Sequence, residues 1–519
     1  MKLTDKNKKF FLFWIFALIS LIISIASFSK IDNDILWHIK LGENILTNGI
    51  SIKDSFSWQQ GLYWISQEWL FDIYIYFIVT YLGNIGFIIS MALTYFLVML
   101  ISYKENKNFK SIILFSLFLM SRNLFNQNLF NRPSIYSIIL IMILIKTLLD
   151  EMSTKQKIIK TSIISILLAN IHGGCLVTCL LLIFIVTFLD LCLLLLNKSN
   201  KQNILKDIIL FITVLVTGFI NPYGIKIYEV GLKGPLLDSC KFISEWKSVS
   251  FENLSEIIMI IFTLIVIIAI VDSKNFKELD RKAFLSLGLT CALLIGGLMS
   301  IRGLMLLSTI IIIFDYKYFE EFYFKYIEKI KIINKLREHK IYTEITETLK
   351  QYIFIILIVF TFILIKDNLY LVNNNSFNEH IENTSKYSYK IINYIKDNLN
   401  EQDAILNSYS TGNYLLYNDC KVFIDSRQHP FTKEFQGNNS LDDYLKIVSS
   451  KNYYKTLMKL CNKYDIEYIF WSGEIEVGYD VKEDFLEDWE VLIEDKVTAK
   501  TIDSSQTYYN YNQYLFKRK

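Results

Sequence analysis

The 519-residue chain lacks most of the marks that identify soluble enzymes and nucleic-acid binders. Its net charge is only +3, and its basic residues follow the loops rather than forming one face, so nothing points to nucleic acid as a partner. The seven cysteines (175, 179, 192, 240, 291, 420 and 461) show no metal-ligand spacing. Those inside hydrophobic stretches read as small packing residues, while Cys420 and Cys461 form a candidate disulfide if the tail lies outside the cytoplasm. Thr411-Gly412-Asn413 lacks the glycine pattern of a phosphate-cradling loop. There is no C-x-x-C pair and no Ser/His/Asp arrangement that spacing supports. The first hydrophobic stretch follows Lys2, Lys6, Lys8 and Lys9 without a small-residue cleavage site, so it reads as a retained anchor. Ionisable groups are also missing from mid-depth of the hydrophobic stretches, where a pump would place them.

What is abundant is apolar: 52% of residues are hydrophobic, 15% are aromatic, and mean hydropathy is +0.32. This composition predicts an α-helical polytopic membrane protein. About eleven spans are expected, near 10–28, 84–103, 111–121, 134–149, 160–171, 175–196, 207–220, 255–271, 283–299, 302–315 and 352–367. Several are shorter than the roughly 20 residues of an untilted crossing and read as half-helices or re-entrant segments. Lysine and arginine crowd the loops 104–110, 150–160, 197–206, 272–282 and 316–350. The positive-inside rule then puts the N-terminus in the cytoplasm, and residues 29–83, 221–254 and the tail outside. Richness in Ile, Asn and Lys fits an AT-rich bacterial genome, and hence a bacterial cytoplasmic membrane. The domain expectation is a membrane domain over 1–370, including the outer loop 29–83, and a soluble extracytoplasmic α/β domain over 371–519.

The outer loop carries the densest cluster of reactive groups. From Asp34 to Leu46 the apolar spacing predicts a helix, ended by Asn48-Gly49. Asp34 and His38, four apart, share one of its faces. Trp58, Trp64, Trp69, Tyr74 and Tyr76 suggest a second interfacial helix. Asp32 and Asp34 admit three readings: helix capping, a general base for an attacking hydroxyl, or a divalent-cation site.

The stretch Asp32-Asn33-Asp34-Ile35-Leu36-Trp37-His38, with Gly42, Asp54-Ser55-Phe56-Ser57 and Glu68-Trp69-Leu70, resembles a family of uncharacterised bacterial polytopic proteins. The resemblance continues through Arg132-Pro133, Asn170-Ile171-His172-Gly173 and Asn221-Pro222-Tyr223-Gly224. It reaches Glu245-Trp246, Arg302 and Phe423-Ile424-Asp425-Ser426-Arg427, and so covers nearly the whole chain. Asn33 stands where the family commonly has proline, and Gly303 where asparagine is frequent. That family is similar to the GT-C glycosyltransferases, which take sugars from polyprenyl-phosphate carriers and keep a key acidic residue in the first outer loop. The resemblance implies a GT-C-like fold, with Asp32 and Asp34 matching the acidic position.

The other clusters are expected to serve this chemistry. Arg122, Arg132 and Arg302 are candidate phosphate ligands, against snorkelling or a turn role. Asn170 and His172 either bond neighbouring helices or contact substrate, and Glu245-Trp246 is an acid with a stacking platform or an interfacial anchor. The tail alternates helix and strand. Helices are expected over Lys386–Leu399, Gly412–Tyr417 and Asp442–Asn462, and strands over Ala404–Ser408, Val422–Asp425 and Glu467–Trp471. Val491–Glu494 and Tyr511–Phe516 are expected as edge strands. Asp425 and Arg427, at a strand's carboxyl end, bind substrate or pair with each other.

The function expected is sugar transfer from a polyprenyl-phosphate-linked donor to a cell-envelope glycan, lipid or protein. Asp32, Asp34, His38 and Glu68 form the catalytic set, and Arg122, Arg132, Asn170, His172, Glu245, Arg302, Asp425 and Arg427 the binding set. Asp32 and Asp34 are the ligands if Mg²⁺ or Mn²⁺ takes part. The alternatives are a transporter or flippase, or a non-catalytic assembly protein, for lipid-linked saccharides.

Overall fold

The computed structural model describes residues 5–28, 32–106, 132–242, 246–273, 278–329, 376–436, 439–478, 480–500 and 508–519, with isolated positions between 355 and 363. In chain order the helices begin with α1 (Asp5–Phe28), α2 (Asp34–Asn48), α3 (Trp69–Phe77), α4 (Gly83–Asn106), α5 (Ser134–Leu149) and α6 (Thr154–Ile171). They continue as α7 (Cys175–Leu195), α8 (Lys201–Thr217), α9 (Lys226–Lys233), α10 (Leu254–Ser273), α11 (Arg281–Met299), α12 (Ile301–Ile310) and α13 (Tyr316–Phe322). The tail holds α14 (Phe377–Thr384), α15 (Tyr389–Asn398), β1 (Ile405–Asn407), α16 (Tyr409–Tyr417), α17 (Lys433–Gln436), α18 (Ser440–Val448) and α19 (Tyr453–Tyr464). It closes with β2 (Tyr468–Trp471), α20 (Gly473–Glu476), α21 (Lys482–Phe485), β3 (Trp489–Lys500) and β4 (Tyr508–Arg518).

The chain forms two compact units. The first comprises residues 1–30, 87–231 and 244–370; the second comprises 31–86, 232–243 and 371–519.

The first unit is helical, and its helices begin where capping chemistry tells them to. Ser153 and Gln156 form a reciprocal capping box at α6, and the Asp280 side chain accepts the Ala283 amide at α11. On α7, Leu181, Phe184, Phe188, Leu191 and Leu195 are all exposed, three or four residues apart. On α8, Leu205, Ile208, Ile212 and Leu215 repeat the pattern. Such continuous apolar stripes suit hydrocarbon and not water. Four helical stretches among the described residues are long and apolar enough to cross a membrane: Trp69–Lys104, Cys175–Leu195, Glu256–Ser273 and Arg281–Met299. The expected count of about eleven is therefore not established, and the spans at 111–121 and 352–367 fall wholly or mostly outside the described residues.

Small residues set the helix spacing. A Cβ on Gly303 would stand 2.7 Å from the Gly296 carbonyl oxygen, so α12 and α11 touch through their backbones. The glycine at this position thus has a packing reason.

In the second unit, α2 forms as its spacing predicts and stops at Gly49, whose φ is +82°. The aromatic stretch behaves differently from expectation. Residues 52–64 form a loop with a Lys53–Tyr63 bridge, and helix begins only at Trp69, passing through a π-turn at Ile78–Leu82 into α4. The sheet order is β1-β2-β4-β3, with β1 and β2 parallel and the other pairs antiparallel. Here the tail corrects three expectations. Tyr511–Phe516 lies within β4, which is central rather than an edge. Val422–Asp425 is no ladder strand, because its polar backbone is met by the loop before α3 and by the Asn407 side chain. Asp442–Asn462 is two helices, interrupted between Val448 and Tyr453. Phe423, Phe431, Phe470, Trp471, Phe485, Trp489 and Phe516 form the fully buried interior. All seven cysteines are free.

Candidate active site

The carboxylates at the start of α2 are organised by residues nearly four hundred positions away. Asp32 is 8% exposed, and its Oδ1 accepts the Asp34 amide at 3.0 Å. It thereby covers an unsatisfied donor at the helix N-terminus, where the dipole also favours its charge. Asn33 does not cap with its side chain; its Oδ1 accepts from the Tyr414 hydroxyl at 3.1 Å. Asp34 Oδ1 accepts from the Ser426 hydroxyl at 2.6 Å and lies 3.5 Å from Asn413 Nδ2. Asn413 in turn donates to Ser426 Oγ at 2.8 Å and accepts the Ser426 amide at 3.2 Å. A carboxylate held in one orientation by fixed donors is pre-organised for proton transfer or cation binding.

Asn413, Tyr414 and Ser426 were not singled out in the sequence. Ser426 had a signal, since it sits inside the Phe423–Arg427 stretch; Asn413 and Tyr414 had none beyond a short predicted helix. Gly412 brings them in: a Cβ there would stand 2.1 Å from the Ile424 carbonyl oxygen.

His38 lies one turn beyond Asp34. Its Nδ1 is 2.6 Å from Asp72 Oδ1, and the Ser66 hydroxyl donates to Asp72 Oδ2 at 2.7 Å. Histidine and aspartate are 2% and 0% exposed. Asp72 was also unforeseen, because nothing in its sequence neighbourhood separates it from a helix-surface acid. Glu68 caps α3 through its backbone carbonyl, which accepts the Asp72 amide at 2.9 Å.

Asp425 and Arg427 come together with a third partner. The Arg427 guanidinium donates to Asp425 Oδ1 and Oδ2 at 2.9 and 2.6 Å, and to Asp54 Oδ1 at 2.5 Å. Phe56 and Trp64 flank it at 5.1 and 5.2 Å. All three charged side chains are essentially unexposed. Between the two expected readings, the geometry is that of an internal ion triad joining the tail to the loop before α3.

A second cluster lies within the helical unit. His172 occupies the turn between α6 and α7, with Ser137 Oγ and Cys175 Sγ at 2.8 and 3.3 Å from its Nδ1. Burial first, then the positive charges of Arg302 and Arg132, push its pKa down to about 3. The imidazole is therefore neutral, and the positive charge of the cluster resides on the two guanidiniums. Arg132 precedes Pro133 at the start of α5, and Arg302, in the first turn of α12, places its Cζ 5.1 Å from the Trp246 ring. Asn170 is spent on the fold, donating to the Ile166 and Ile220 carbonyls at 2.7 and 2.8 Å. Arg122 and Glu245 lie outside the described residues.

For a divalent cation, Asp32 and Asp34 offer the hard oxygen donors that Mg²⁺ or Mn²⁺ takes when water and substrate complete the shell. Among the described residues no group of three or more His, Cys, Asp or Glu side chains converges as a ready-made site.

No family model and no curated protein matches the chain. Solved structures do. The Archaeoglobus fulgidus oligosaccharyltransferase in its apo form aligns with a TM-score of 0.53 at 9% identity, over 95% of this chain and 74% of that one. The same enzyme tethered to an acceptor peptide containing the NVT sequon aligns with a TM-score of 0.51 at 10% identity, with the same coverage. At such identities the likeness is one of fold: this chain has a fold similar to that of the Archaeoglobus fulgidus oligosaccharyltransferase.

Proposed function

We propose that the chain is a membrane glycosyltransferase that moves a sugar from a polyprenyl-phosphate-linked donor to a cell-envelope acceptor. The observation that carries this reading is the Asp32–Asp34 pair, set at the N-terminus of the helix after the first apolar helix and pinned by Ser426 and Asn413, on an oligosaccharyltransferase-like fold. One of the two carboxylates takes the acceptor hydroxyl proton as its oxygen bonds to the anomeric carbon. The bond from that carbon to the phosphate oxygen breaks, and the lipid phosphate leaves with the electron pair. The neutral His172 with Arg132 and Arg302 has the character of a phosphate site, since guanidinium forks match phosphate oxygens. A divalent cation, where bound by Asp32 and Asp34, would neutralise phosphate charge. The distribution of lysine in the loops supports a bacterial cytoplasmic membrane, with the N-terminus inside and the carboxylates and tail outside.

The test uses purified protein in lipid with radiolabelled polyprenyl-phosphate sugars, with and without EDTA. An Asp32→Asn, Asp34→Asn double variant is expected to bind donor and lose transfer, whereas Arg132→Ala loses donor binding. Transfer surviving in the double variant would remove the carboxylates from the mechanism.

A further inference from the structure

We propose that residues 232–242 form an interfacial anchor: Leu232, Leu236 and Phe242 insert among the acyl chains of a bilayer leaflet, while the other side of the segment holds the tail. The segment belongs to the second unit, together with the tail. Its three large apolar side chains are 59%, 80% and 50% exposed. So much bare apolar surface on so short a stretch is unfavourable in water and calls for a cover. Between these residues Leu237, Ser239 and Cys240 are buried, so the segment has two distinct faces.

The inward face is met by the tail. The Ser239 hydroxyl donates to Gln428 Oε1 at 3.0 Å, and Lys233 donates to the Glu434 carbonyl at 3.3 Å with its Nζ 5.6 Å from the Phe435 ring. The backbone is satisfied within the segment. It winds into two single turns, Gly234–Leu236 and Asp238–Lys241, and the amides of Leu237, Cys240 and Phe242 bond to the carbonyls of Gly234, Leu237 and Ser239. A segment entering the acyl boundary must satisfy these groups itself. Chain continuity says what covers the outward face. Shortly before the segment, just past α8, Phe219 and Ile220 are exposed; shortly after it, Leu254 and Ile258 open the exposed apolar stripe of α10. The chain thus comes from one hydrocarbon-facing helix and returns to another. Charge is a minor hold, because Lys241 pairs with Asp238 at 2.5 Å and Lys233 turns to the tail. Insertion therefore depends on apolar area rather than on anionic headgroups. Gln428 follows Arg427 directly, and Ser426, two positions before it, orients Asp34. The anchor accordingly bears on the part of the tail that sets the candidate base.

The experiment replaces Leu236 or Phe242 by the photocrosslinker p-benzoylphenylalanine in the full chain. The protein is irradiated in nanodiscs of phosphatidylethanolamine and phosphatidylglycerol, and lipid adducts are read by intact mass. Leu264, on the exposed stripe of α10, is replaced as the positive control, and Glu401, 80% exposed in the tail, as the negative one. Lipid adducts are expected at 236, 242 and 264 and not at 401, with yields unchanged in pure phosphatidylcholine. Adducts at 264 without any at 236 and 242, or crosslinks from those two to protein, overturn the proposal while the membrane reading stands. A yield at 236 that collapses in phosphatidylcholine overturns it too, since charge would then be the hold. If one substituted protein fails to fold, the other position decides. Loss of the adduct at 264 as well would sink the membrane reading and the anchor with it.

Discussion

Replacing Arg427 by alanine leaves the buried carboxylates of Asp425 and Asp54 without their counter-charge. Breaking a buried ion set from one side costs about 3–5 kcal/mol, so Arg427→Ala is expected to lower Tm sharply in detergent. Arg427→Lys should fall between, because a single ammonium cannot reproduce the fork that meets both oxygens of Asp425. An unchanged Tm in Arg427→Ala would mean that the triad is not closed as described. His429 makes a second prediction at this scale. Its ring stacks on Phe435 at 4.4 Å, and its buried Nδ1 has no hydrogen-bond partner among the described residues. Burial pushes its pKa down to about 4. The unfolded chain, titrating near 6.5, binds the proton more readily, so stability rises with pH across this window. It is complete above the unfolded value and lost as pH falls from 6.5 toward 4, by roughly 3 kcal/mol. Thermal unfolding between pH 7.5 and 4.5 should show a steeper acid loss in the wild type than in His429→Gln.

Between elements, glycine decides how closely helices approach. Gly42→Ala would press a methyl to within 2.1 Å of the Asp72 carbonyl oxygen and 2.8 Å of the Tyr76 Cβ. α2 must then lift from α3, at a cost of about 1–3 kcal/mol for overpacking. Because His38 and Asp72 sit across that interface, the same change should weaken their pairing. Gly296 is the control: a Cβ there meets open space, so Gly296→Ala is expected to stay within about 0.5 kcal/mol of the wild type. Equal loss in both variants, measured by unfolding in the same detergent, would show that the close approach at Gly42 carries no weight. The extent of α2, its stop at Gly49 and most of the tail elements could be read from periodicity and turn chemistry. The start of α3 could not, because an aromatic, apolar run suits a loop packed on a domain as well as an interfacial helix. Nor could the place of β4, since strand order is set by side chains meeting across the sheet and not by neighbours in sequence.

For the molecule as a whole, residues 31–86 belong with the tail in one compact unit. The bonds are explicit. The Val422 amide donates to the Phe56 carbonyl at 3.1 Å, the Ser57 hydroxyl to the Val422 carbonyl at 2.7 Å, and the Trp58 indole to the Ile405 carbonyl at 3.0 Å. A 371–519 fragment would therefore expose backbone groups of 422–425 and a buried ion pair lacking Asp54. It is expected to show weak near-UV circular dichroism and rapid proteolysis, both corrected by fusing residues 31–66 to it. Cooperative unfolding of the fragment alone would mean that the sheet and its apolar interior suffice.

Local chemistry decided the class of protein and many of its parts. The apolar stripes of α7 and α8, the capping residues and the helix running from Asp34 to Gly49 depend on near neighbours, so they are written along the chain. The same is true of Asp32, Asp34 and His38 as reactive groups on one short segment. Their partners are another matter. Ser426, Asn413 and Tyr414 reach the α2 N-terminus across nearly four hundred residues, and Asp72 reaches His38 across an interhelical contact permitted by Gly42. The sharing of Arg427 between Asp425 and Asp54 likewise follows from burial of the loop against the tail. Hydrogen bonds and ion pairs depend on distance in space, and that distance exists only once the chain has packed.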